Sequence, residues 1–515
     1  MTKWRTISTD FIPVNENASY KTSLYISAKD VIQLHSKANY FDSNKTKIKS
    51  TFISGGRNGT FEEPYNIVDS SPNGTKYMKL QILARDNPKI PGSYLIDNVR
   101  IEKVGHNNFP FVVESNKKFA IEPVYDGSDG PNIDFLGPNM AFLSPNDILV
   151  LDKNNGTVYR ILNGTMLEEP LIDLNSFNED GLIGIAIAKN QSGPPYVFLY
   201  LNEAPVKYGN DVHNDIEAAT ANRTIGYNQE GDRLYRYKLV DNKLVEPKLL
   251  FEIKAPRPSD NLGVQHHGGE VLIGPDSAVY FGTGDLEGPD YGVKTKAQNY
   301  KDGNDEPDGR AGILRITQDG KPVGNGILGN TYPLNLYYAY GLRNSFGMDF
   351  DPVTGKLWLT DNGPDYGDEI NLAEPGFNSG ADILWGRSTE YDKLQNLVNF
   401  EGKGKYSEPE FVWKHTVGPT ALKFFNSVKF GKEYENDIFV AGFKNGDIYH
   451  FDLNENRTEL KLPGPLKDKV ADKPAELNDI IFAKGFVGIT DLQVGPDGYL
   501  YVLESGKIFR IIPKN

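Results

Sequence analysis

Apolar and polar residues alternate along three stretches within the first 118 residues. The alternation runs through residues 20–26, 76–83 and 93–104, and segments rich in Asn, Gly, Ser and Pro separate these stretches. A period of two residues is typical of a β-strand with one buried and one exposed face, and Asn, Gly and Pro favour turns. The pattern therefore predicts a β-sandwich over residues 1–118.

A different unit recurs from residue 119 onward. Each copy has an apolar strand, a turn rich in Gly, Pro and Asp, and a second apolar strand. The copies cover residues 137–161, 181–202, 268–285, 345–365, 427–453 and 488–511. Residues 119–515 number 397, or about 66 per copy, against about 40 to 50 in compact blade repeats, which leaves room for enlarged loops. We therefore expect an all-β protein, with a six-bladed β-propeller preceded by the smaller sandwich.

The propeller hypothesis also predicts where a site would lie. A twisted four-stranded sheet cannot bury both faces alone, so blades pack radially around a central channel. Ligands of such a protein bind at one mouth of the channel, where long loops form a cleft. The longest inter-strand loops are 203–232, 286–312 and 362–390, and we expect them to surround this mouth.

Composition excludes several kinds of chemistry and partner. The 515 residues include no cysteine, which rules out disulfides, thiolate metal sites, iron–sulfur clusters and cysteine nucleophiles. A formal net charge of −14 disfavours nucleic acid as a partner, and no apolar stretch approaches the ~18 residues that a transmembrane segment needs. Nine Asn-x-Ser/Thr sequons favour export. We expect an extracellular, cell-surface or periplasmic protein, although the first residues lack the apolar core of a signal peptide.

Two adjacent histidines stand out among the seven in the chain. His266 and His267 lie in the segment GVQHHGG, residues 263–269, just before the first strand of a repeat. Glycines let a backbone approach a ligand closely, and an imidazole exchanges protons near neutral pH. His266 is therefore the candidate general base. A turn histidine hydrogen-bonded to a carbonyl group fits the same fragment, and taken alone the fragment favours that structural role.

Two further segments carry polar groups suited to ligand binding. In YGLRNSFGMDF, residues 340–350, Arg343 and Asn344 supply a cation and an amide for a carbonyl or carboxylate. Arg343 would alternatively tie one blade to the next.

The turn that follows, residues 361–372, is rich in carboxylates and backbone oxygens. Hard oxygen ligands suit Ca²⁺, and Glu369 with the main-chain oxygens near Gly363 and Pro364 are the candidates. A solvated acidic turn is the alternative, and it is the preferred interpretation of the acidic loop 302–309.

Several segments taken in order resemble the soluble quinoprotein sugar dehydrogenases, the glucose/sorbosone and aldose sugar dehydrogenase family. They are NEDGLIGIAIA at 178–188, HHGGEVLIGPD at 266–276, GRAGILRITQDGKP at 309–322, YGLRNSFGMDFDPVTGKLW at 340–358, NGPDYGDEINL at 362–372 and GPDGYLYVLESGKIFRI at 495–511. The resemblance covers about residues 119–515. It implies a six-bladed propeller that binds pyrroloquinoline quinone (PQQ) and Ca²⁺ at the channel mouth and oxidises aldoses at the anomeric carbon to lactones. The stretch SYLIDNVRIEKV at 93–104 resembles jelly-roll modules appended to carbohydrate-active proteins.

The resemblance also implies a role for individual residues. His266 is similar to the family's general base, and Arg343 and Asn344 to the pair that contacts the quinone oxygens. The remaining implied roles are cofactor contacts for Lys444 and Thr416, Ca²⁺ ligation by the carbonyls of Gly363 and Pro364, and sugar contacts for Glu179 and Gln265. An external electron acceptor is implied as well, because haem attachment through cysteine is impossible here.

The chain departs from the family pattern at specific positions. Gly488 and Thr490 stand where some members have two arginines that hold PQQ carboxylates, and losing both cations weakens the electrostatic hold on the cofactor. The compensating cations that the sequence offers are Lys414, His415 and Lys444. The segment 378–386 lacks the family's aromatic-Gly-Trp-Pro stretch, which argues against a second calcium site. Gln265 and His267 flank His266 in place of the usual Asp or Asn, so the sugar contacts differ.

Three functions fit these observations. The first is a PQQ- and Ca²⁺-dependent aldose dehydrogenase. The second is a carbohydrate- or protein-binding propeller that has lost PQQ, since a shared fold does not carry function by itself. The third, a lactonase or hydrolase that uses Ca²⁺ at the channel, has no supporting motif.

Overall fold

A computed structural model of the chain describes most of the sequence. The described residues are 4–16, 18–72, 74–86, 93–104, 110–113, 118–127, 136–174, 176, 181–190, 192–203, 231–254, 265–286, 294–301, 306–364, 366–387, 391–504 and 506–514. The chain divides into two compact units. One comprises Met1–Phe111 with Lys444–Gly446 and Lys484–Gly488, and the other comprises the remaining residues.

The first unit is built around one long strand that serves two sets of partners. Its strands are β1 (Trp4–Ser8), β2 (Ile12–Pro13), β3 (Ser19–Phe41), β4 (Lys47–Ser70), β5 (Tyr77–Asp86) and β6 (Ser93–Val104). They join in the order β1-β5-β3-β4, with β2 on β5 and β6 on β3. The first half of β3 pairs with β6 and its second half with β5.

The core of this unit follows the alternation that the sequence shows. Tyr20, Leu24 and Ile26 in the first half of β3 and Leu34 and Tyr40 in the second half are all buried. Even-numbered positions of one strand face the same side, so a single face of β3 supplies much of the core. The sandwich or jelly-roll assignment of this region stays a prediction.

Strands make up most of the regular secondary structure that is described in the rest of the chain. They are β7 (Phe111–Val112), β8 (Phe119–Tyr125), β9 (Leu136–Ser144), β10 (Asp147–Asp152), β11 (Thr157–Leu162), β12 (Thr165–Met166), β13 (Ile172–Asp173), β14 (Leu182–Ala188), β15 (Tyr196–Glu203), β16 (Gly231–Val240), β17 (Lys243–Lys254), β18 (Val271–Ile273), β19 (Val279–Thr283), β20 (Gly312–Ile316), β21 (Tyr337–Tyr340), β22 (Met348–Phe350), β23 (Leu357–Asp361), β24 (Asp368–Ala373), β25 (Phe377–Asn378), β26 (Lys405–Tyr406), β27 (Phe411–Trp413), β28 (Pro419–Phe424), β29 (Ile438–Gly442), β30 (Asp447–Phe451), β31 (Val470–Ala471), β32 (Ile481–Lys484), β33 (Ile489–Val494), β34 (Leu500–Glu504) and β35 (Lys507–Pro513). Short 3-10 helices lie at Lys296–Gln298, Leu334–Leu336, Tyr391–Asn396, Lys432–Tyr434, Gly464–Asp468 and Pro474–Asp479. Among the helices in the described ranges, none is long and apolar enough to cross a membrane.

Within the described residues these strands form six sheets, as many as the repeats found in the sequence. Sheet 1 contains β9 to β13, sheet 2 β14 to β17, sheet 3 β18 to β21 with β25 and β26, sheet 4 β22 to β24 with β27 and β31, sheet 5 β28 to β30 with β32 and β7, and sheet 6 β33 to β35 with β8. In sheet 6, β35 pairs antiparallel with β8. The last sheet of the chain is therefore completed by a strand that precedes the first sheet.

The core lies between neighbouring sheets. Phe198 and Tyr200 of sheet 2 belong to one buried cluster with Val279 and Phe281 of sheet 3, and the rings of Tyr200 and Phe281 are 5.9 Å apart. Each such buried side chain contributes about 1.5–3 kcal/mol. A strand that has a sheet on either side is buried on both faces. The strand β10 shows this, because all six of its residues, Asp147–Asp152, are buried.

The structure confirms the all-β prediction and corrects one boundary. Four of the six predicted repeats contain the whole first strand of their sheet, and the repeat 137–161 starts one residue inside β9. Sheet 5 instead begins with β28 (Pro419–Phe424), ahead of the predicted start at residue 427. This strand opens with a proline after a polar loop, so its apolar pattern is short and does not mark it clearly as a strand. Most of the predicted loop 203–232 lies outside the described residues.

Candidate active site

The turn that carries His266 packs tightly against the end of the strand β19. His266 has a left-handed backbone, with φ of 65°, and Gly268 has φ of 71°. A Cβ on Gly284 would lie 1.6 Å from the carbonyl oxygen of His266, and one on Gly268 would lie 2.5 Å from the carbonyl oxygen of Gly282. The left-handed conformation costs a residue with a side chain about 1 kcal/mol. Glycine at 268 and 284 is therefore what allows this turn to form.

The imidazole of His266 lies between the carboxylate of Asp285 and the guanidinium of Arg343. Its Nδ1 is 2.8 Å from Oδ1 of Asp285, and its Nε2 is 2.8 Å from Nη2 of Arg343. A guanidinium group only donates hydrogen bonds, so Nε2 of His266 must accept the hydrogen bond from Arg343. Nδ1 therefore carries the ring proton and donates a hydrogen bond to Asp285. The surroundings thus select the tautomer with the lone pair on Nε2.

Asp285 is the carboxylate that sequence analysis missed. It is buried, directly after β19, and its own backbone N–H donates to the carbonyl oxygen of Arg343 at 2.9 Å. Its carbonyl oxygen accepts from Nε2 of Gln298 at 3.2 Å. The only sequence signal is an acidic residue at the end of a strand, in GTGD, and such residues are common in turns.

Arg343 and Asn344 are held in place by one buried carboxylate. Oδ2 of Asp361 accepts the backbone N–H of Arg343 at 2.9 Å, and Oδ1 accepts that of Asn344 at 2.7 Å. Asn344 in turn accepts the backbone N–H of Gly268 at its Oδ1, at 3.1 Å. The Arg-Asn pair and the histidine turn are therefore locked together, as the sequence hypothesis required.

Burial raises the pKa of Asp361, the carboxylate that holds the Arg-Asn pair, and that of its neighbour Glu369. Burial, reinforced by the nearby Glu369, raises the pKa of Asp361 to about 8. The two residues are cross-strand partners on β23 and β24. Burial likewise raises the pKa of Glu369 to about 7.

Arg343 also reaches the predicted calcium turn. Its Nη1 donates to the carbonyl oxygens of Asn362 at 3.0 Å and of Gly363 at 3.2 Å. The side-chain oxygen of Asn362 is buried and accepts no hydrogen bond from any described residue. Hard oxygens of this kind suit Ca²⁺, so the residues present fit a cation held by the Asn362 and Gly363 oxygens. Pro364, the next residue, is exposed.

Both carboxylate oxygens of Glu369 accept hydrogen bonds from other residues of the protein. Oε1 accepts the backbone N–H of Gly386 at 2.7 Å, and Oε2 accepts Nδ2 of Asn371 at 2.9 Å and Oγ of Ser379 at 3.2 Å. These bonds brace the segment that follows the acidic turn. Its role as a metal ligand stays a prediction.

The other predicted residues are distributed as follows. Thr416 lies in a loop whose next two backbone N–H groups donate to Oδ2 of Asp368, while Oδ1 of Asp368 accepts the N–H of Gly363. One carboxylate thus connects the Thr416 loop to the calcium turn. Lys444 lies in the turn between β29 and β30, within the first unit. Glu179 lies outside the described residues.

A cleft of about 280 Å³ opens beside His266. Its walls include Gln265, His266, Asn344, Phe346, Pro138 and Lys153. Gln265 is exposed at this position. Lys153, which follows β10, is a cation that sequence analysis did not consider.

A larger cavity lies elsewhere in the fold. It measures about 470 Å³, and its walls include Lys296, Phe400 and Tyr406. None of the predicted site residues lines it. His266, which is hydrogen-bonded to Asp285 and Arg343, lines the smaller cleft, and we place the site there.

The family assignment rests on a match over most of the chain. Residues 138–512 match the family model described as Glucose / Sorbosone dehydrogenase. The chain belongs to the glucose/sorbosone dehydrogenase family. A curated relative is the aldose sugar dehydrogenase YliI of Escherichia coli, 26% identical over 352 residues that cover 67% of this chain and 80% of the relative.

Solved structures related to this glucose/sorbosone dehydrogenase family member share its fold. The apo-form of the soluble aldose sugar dehydrogenase of Escherichia coli aligns with a TM-score of 0.55 at 21% identity, covering 77% of this chain and 100% of the other. The PQQ-bound aldose sugar dehydrogenase of Streptomyces coelicolor aligns with a TM-score of 0.51 at 20% identity, covering 77% and 99%. These likenesses confirm the propeller-type fold.

The second histidine of the family member has a different environment from the first. His267 is buried, and its Nδ1 is 2.7 Å from Oδ1 of Asp232. Asp232 also accepts from Nδ2 of Asn202 and from the hydroxyl of Tyr200, which also bonds the carbonyl oxygen of His267. His267 thus connects sheet 2 to the histidine turn, and it lines the cleft together with His266.

Proposed function

We propose that this protein oxidises an aldose at the anomeric carbon to the lactone, with PQQ and Ca²⁺ as cofactors. One observation carries the proposal: a single guanidinium, that of Arg343, bonds both the imidazole of His266 and the carbonyl oxygens of Asn362 and Gly363. A base that lines the cleft, a cation and a set of hard oxygens are therefore joined through one side chain. The proposed reaction would use all three groups: a base for the hydroxyl proton, a cation for developing negative charge and oxygens that hold a metal ion.

His266 is the proposed general base. Its Nε2 lone pair accepts the proton of the anomeric hydroxyl, and the substrate hydroxyl takes the position that Arg343 Nη2 holds in the structure. The resulting imidazolium donates from Nδ1 to the buried carboxylate of Asp285, which stabilises the positive charge. Asp285 also keeps the ring in the orientation that the reaction requires.

Arg343 and Asn344 are the proposed cofactor-binding pair. When bound, PQQ supplies the two-electron acceptor that takes the C1 hydrogen with its electron pair, a chemistry that side chains alone do not provide. The guanidinium would stabilise negative charge that develops on the bound cofactor. The Asn362 and Gly363 oxygens would hold Ca²⁺, which acts there as a Lewis acid.

The remaining proposed roles follow the family resemblance. Lys444 and Thr416 contact the cofactor, Glu179 and Gln265 contact the sugar, and Pro364 and Glu369 complete the calcium site. Electrons leave to an external acceptor, and we propose that the protein acts outside the cytoplasm.

A titration with PQQ tests this proposal most directly. In excess Ca²⁺, the protein is expected to bind PQQ at micromolar concentration and to reduce an artificial electron acceptor when an aldose is added. His266→Ala is expected to abolish turnover while leaving PQQ affinity within about threefold of wild type, since the imidazole acts on the sugar proton. Absence of PQQ binding by the wild type would favour the alternative, a binding propeller that has lost PQQ. Gly488 and Thr490, which stand where some family members have arginines, support that alternative.

A further inference from the structure

The side chain of Asp368 accepts backbone hydrogen bonds from two separate segments. Its Oδ1 accepts the N–H of Gly363 at 3.0 Å, and its Oδ2 accepts those of Val417 at 2.7 Å and Gly418 at 2.8 Å. Asp368 is the first residue of β24 and is buried. A carboxylate is a stronger acceptor for N–H groups than a neutral oxygen, so this side chain fixes both segments to sheet 4.

The hydrogen bond to Gly363 sets the direction of the neighbouring carbonyl group. The peptide group between Asn362 and Gly363 is planar and trans, so its C=O and its N–H point in opposite directions. The N–H bonds Asp368. The carbonyl oxygen of Asn362 therefore points the other way, and it accepts Nη1 of Arg343 at 3.0 Å. Asp368 thus fixes, from the side opposite Arg343, an oxygen that we propose as a Ca²⁺ ligand.

The calcium turn is packed closely against the start of β24. A Cβ on Gly363 would lie 2.1 Å from the carbonyl oxygen of Tyr366 and 2.9 Å from that of Gly367. The N–H of Gly367 donates to the carbonyl oxygen of Trp413 at 3.1 Å, and Trp413 is the cross-strand partner of Asp368. The turn has little room to absorb a displacement, so a shift of Asp368 would move the peptide group that precedes Gly363.

The loop that contains Thr416 is held by the same carboxylate. Val417 is buried, and its N–H and that of Gly418 both donate to Oδ2 of Asp368. Because a trans peptide group is planar, the carbonyl group of Thr416 points away from Asp368. This loop leads into β28 of sheet 5, whereas Asp368 belongs to sheet 4. The Thr416 loop and the calcium turn therefore keep one relative position although they come from different sheets.

We propose that Asp368 is a positioning residue of the calcium and cofactor site. It directs the carbonyl oxygen of Asn362 toward the side of the turn that faces Arg343, and it holds the Thr416 loop against the same turn. The inference rests on the proposed function and adds a residue that the proposed function does not include. Asp368 acts through the backbone groups that it binds, and we assign it no contact with the ion or with the sugar.

The test measures the Ca²⁺ concentration for half-maximal PQQ binding by equilibrium titration. Asp368→Asn keeps one acceptor oxygen and places an amide donor against a backbone N–H, so at least one of the two segments is released. Asp368→Glu keeps the charge and both oxygens but moves them about 1.5 Å farther from the backbone. We expect the Ca²⁺ concentration to rise about tenfold in Asp368→Asn and at least about threefold in Asp368→Glu, because both variants displace the carbonyl oxygen of Asn362.

The matched control is Asp351→Asn, at a second buried aspartate. Asp351 follows β22 of sheet 4, and its oxygens accept the N–H of Val353, the hydroxyl of Thr354 and Nε of Arg457. Asp351→Asn is expected to lower the melting temperature about as much as Asp368→Asn does and to leave the calcium requirement unchanged. An equal rise of the calcium requirement in Asp351→Asn would show that lost stability alone explains the effect, and it would overturn the inference.

The outcomes separate this inference from the proposed function. If wild type binds PQQ with a calcium requirement that neither Asp368 variant changes, the positioning role is wrong and the proposed function stands. A rise in Asp368→Asn with wild-type behaviour of Asp368→Glu would show that the charge matters and the position does not, which also overturns the inference. If wild type binds no PQQ, both fail. Should Asp368→Asn fail to fold, the titration of Asp368→Glu decides alone, and a wild-type calcium requirement would overturn the positioning role.

Discussion

The guanidinium of Arg343 lies 2.8 Å from Nε2 of His266. It donates to the one ring nitrogen that has a lone pair, because Nδ1 is already committed to Asp285. The proposed base is therefore covered by the proposed cofactor-binding cation. For His266 to accept a proton from a sugar hydroxyl, as we propose, the two groups have to separate.

This relationship predicts the reactivity of His266 toward an acylating reagent. Diethyl pyrocarbonate needs an available ring lone pair, so Arg343→Met is expected to increase the modification rate of His266 by about fivefold, equivalent to one lost hydrogen bond. Peptide-resolved mass spectrometry measures the rate for each histidine. His267 is the internal control, because it is buried against Asp232 and should stay unmodified in both proteins. Equal rates for His266 in the two proteins would show that Arg343 does not protect it.

A second prediction concerns Asp285, which orients the base. Asp285→Asn removes the charge that stabilises the imidazolium and can present a donor to Nδ1, which favours the wrong tautomer. We expect kcat to fall about 10²- to 10⁴-fold with PQQ affinity preserved. Steady-state kinetics measures the fall in kcat, and a PQQ titration measures whether the affinity for PQQ is preserved.

The matched control for Asp285 is Asp319→Asn, an exposed carboxylate on a surface turn, which should leave kcat unchanged. A parallel loss of PQQ affinity and kcat in Asp285→Asn would show instead that the residue supports the fold of the whole site.

The calcium site gives a third prediction. The side-chain oxygen of Asn362 is buried and has no hydrogen-bond donor among the described residues, so Asn362→Ala loses no hydrogen bond at that atom. We expect the melting temperature without ligands to change by less than about 2 °C. The Ca²⁺ concentration for half-maximal PQQ binding should rise about tenfold, because one hard ligand is lost. An unchanged calcium requirement would exclude this oxygen as a ligand.

A buried charge cluster makes stability depend on pH. Glu270, Asp349, Lys423 and Asp491 lie on or beside the first strands of sheets 3 to 6, and Nζ of Lys423 is 3.7 Å from Oδ2 of Asp349. Three carboxylates thus share one ammonium group. Burial raises the pKa of Asp491 to about 7, and burial together with Asp491 raises that of Glu270 well above its usual range.

The sign of the fourth prediction follows from these shifts. The pKa of Asp491 in the folded protein exceeds that of an unfolded aspartate, so its contribution to stability is fully present below about pH 4 and is lost as the pH rises through about 7. The melting temperature of the ligand-free protein should fall between pH 5 and 8.5. In Asp491→Asn, which retains an acceptor for the N–H of Met140, this fall should be smaller by at least about 2 °C.

Asp452→Asn, at an exposed carboxylate, serves as the control for the pH series. A wild-type melting temperature that stays constant over the range would contradict the prediction, as would an equal fall in Asp491→Asn.

Most residues of the proposed site could be predicted from the sequence, because they come from short, distinctive segments. His266 is marked by the glycines that follow it, and Arg343 and Asn344 by a polar pair before an apolar strand. The sequence did not mark Asp285, Asp361 and Lys153, since each is a charged residue at the end of a strand, and many residues of that kind are merely solvated. Which of them face the cleft depends on how separate sheets pack.

Local pattern thus determined the strands, the repeats and the all-β class, because alternation and turn residues act over a few neighbouring positions. Tertiary structure decided which charges meet. His266 and Arg343 are 77 positions apart in the sequence and lie in loops that precede the first strands of two different sheets, and Thr490 reaches Gly137 across 353 positions. Such contacts arise only when the sheets pack around a common centre and the last one pairs with a strand that precedes the first, which no local pattern encodes.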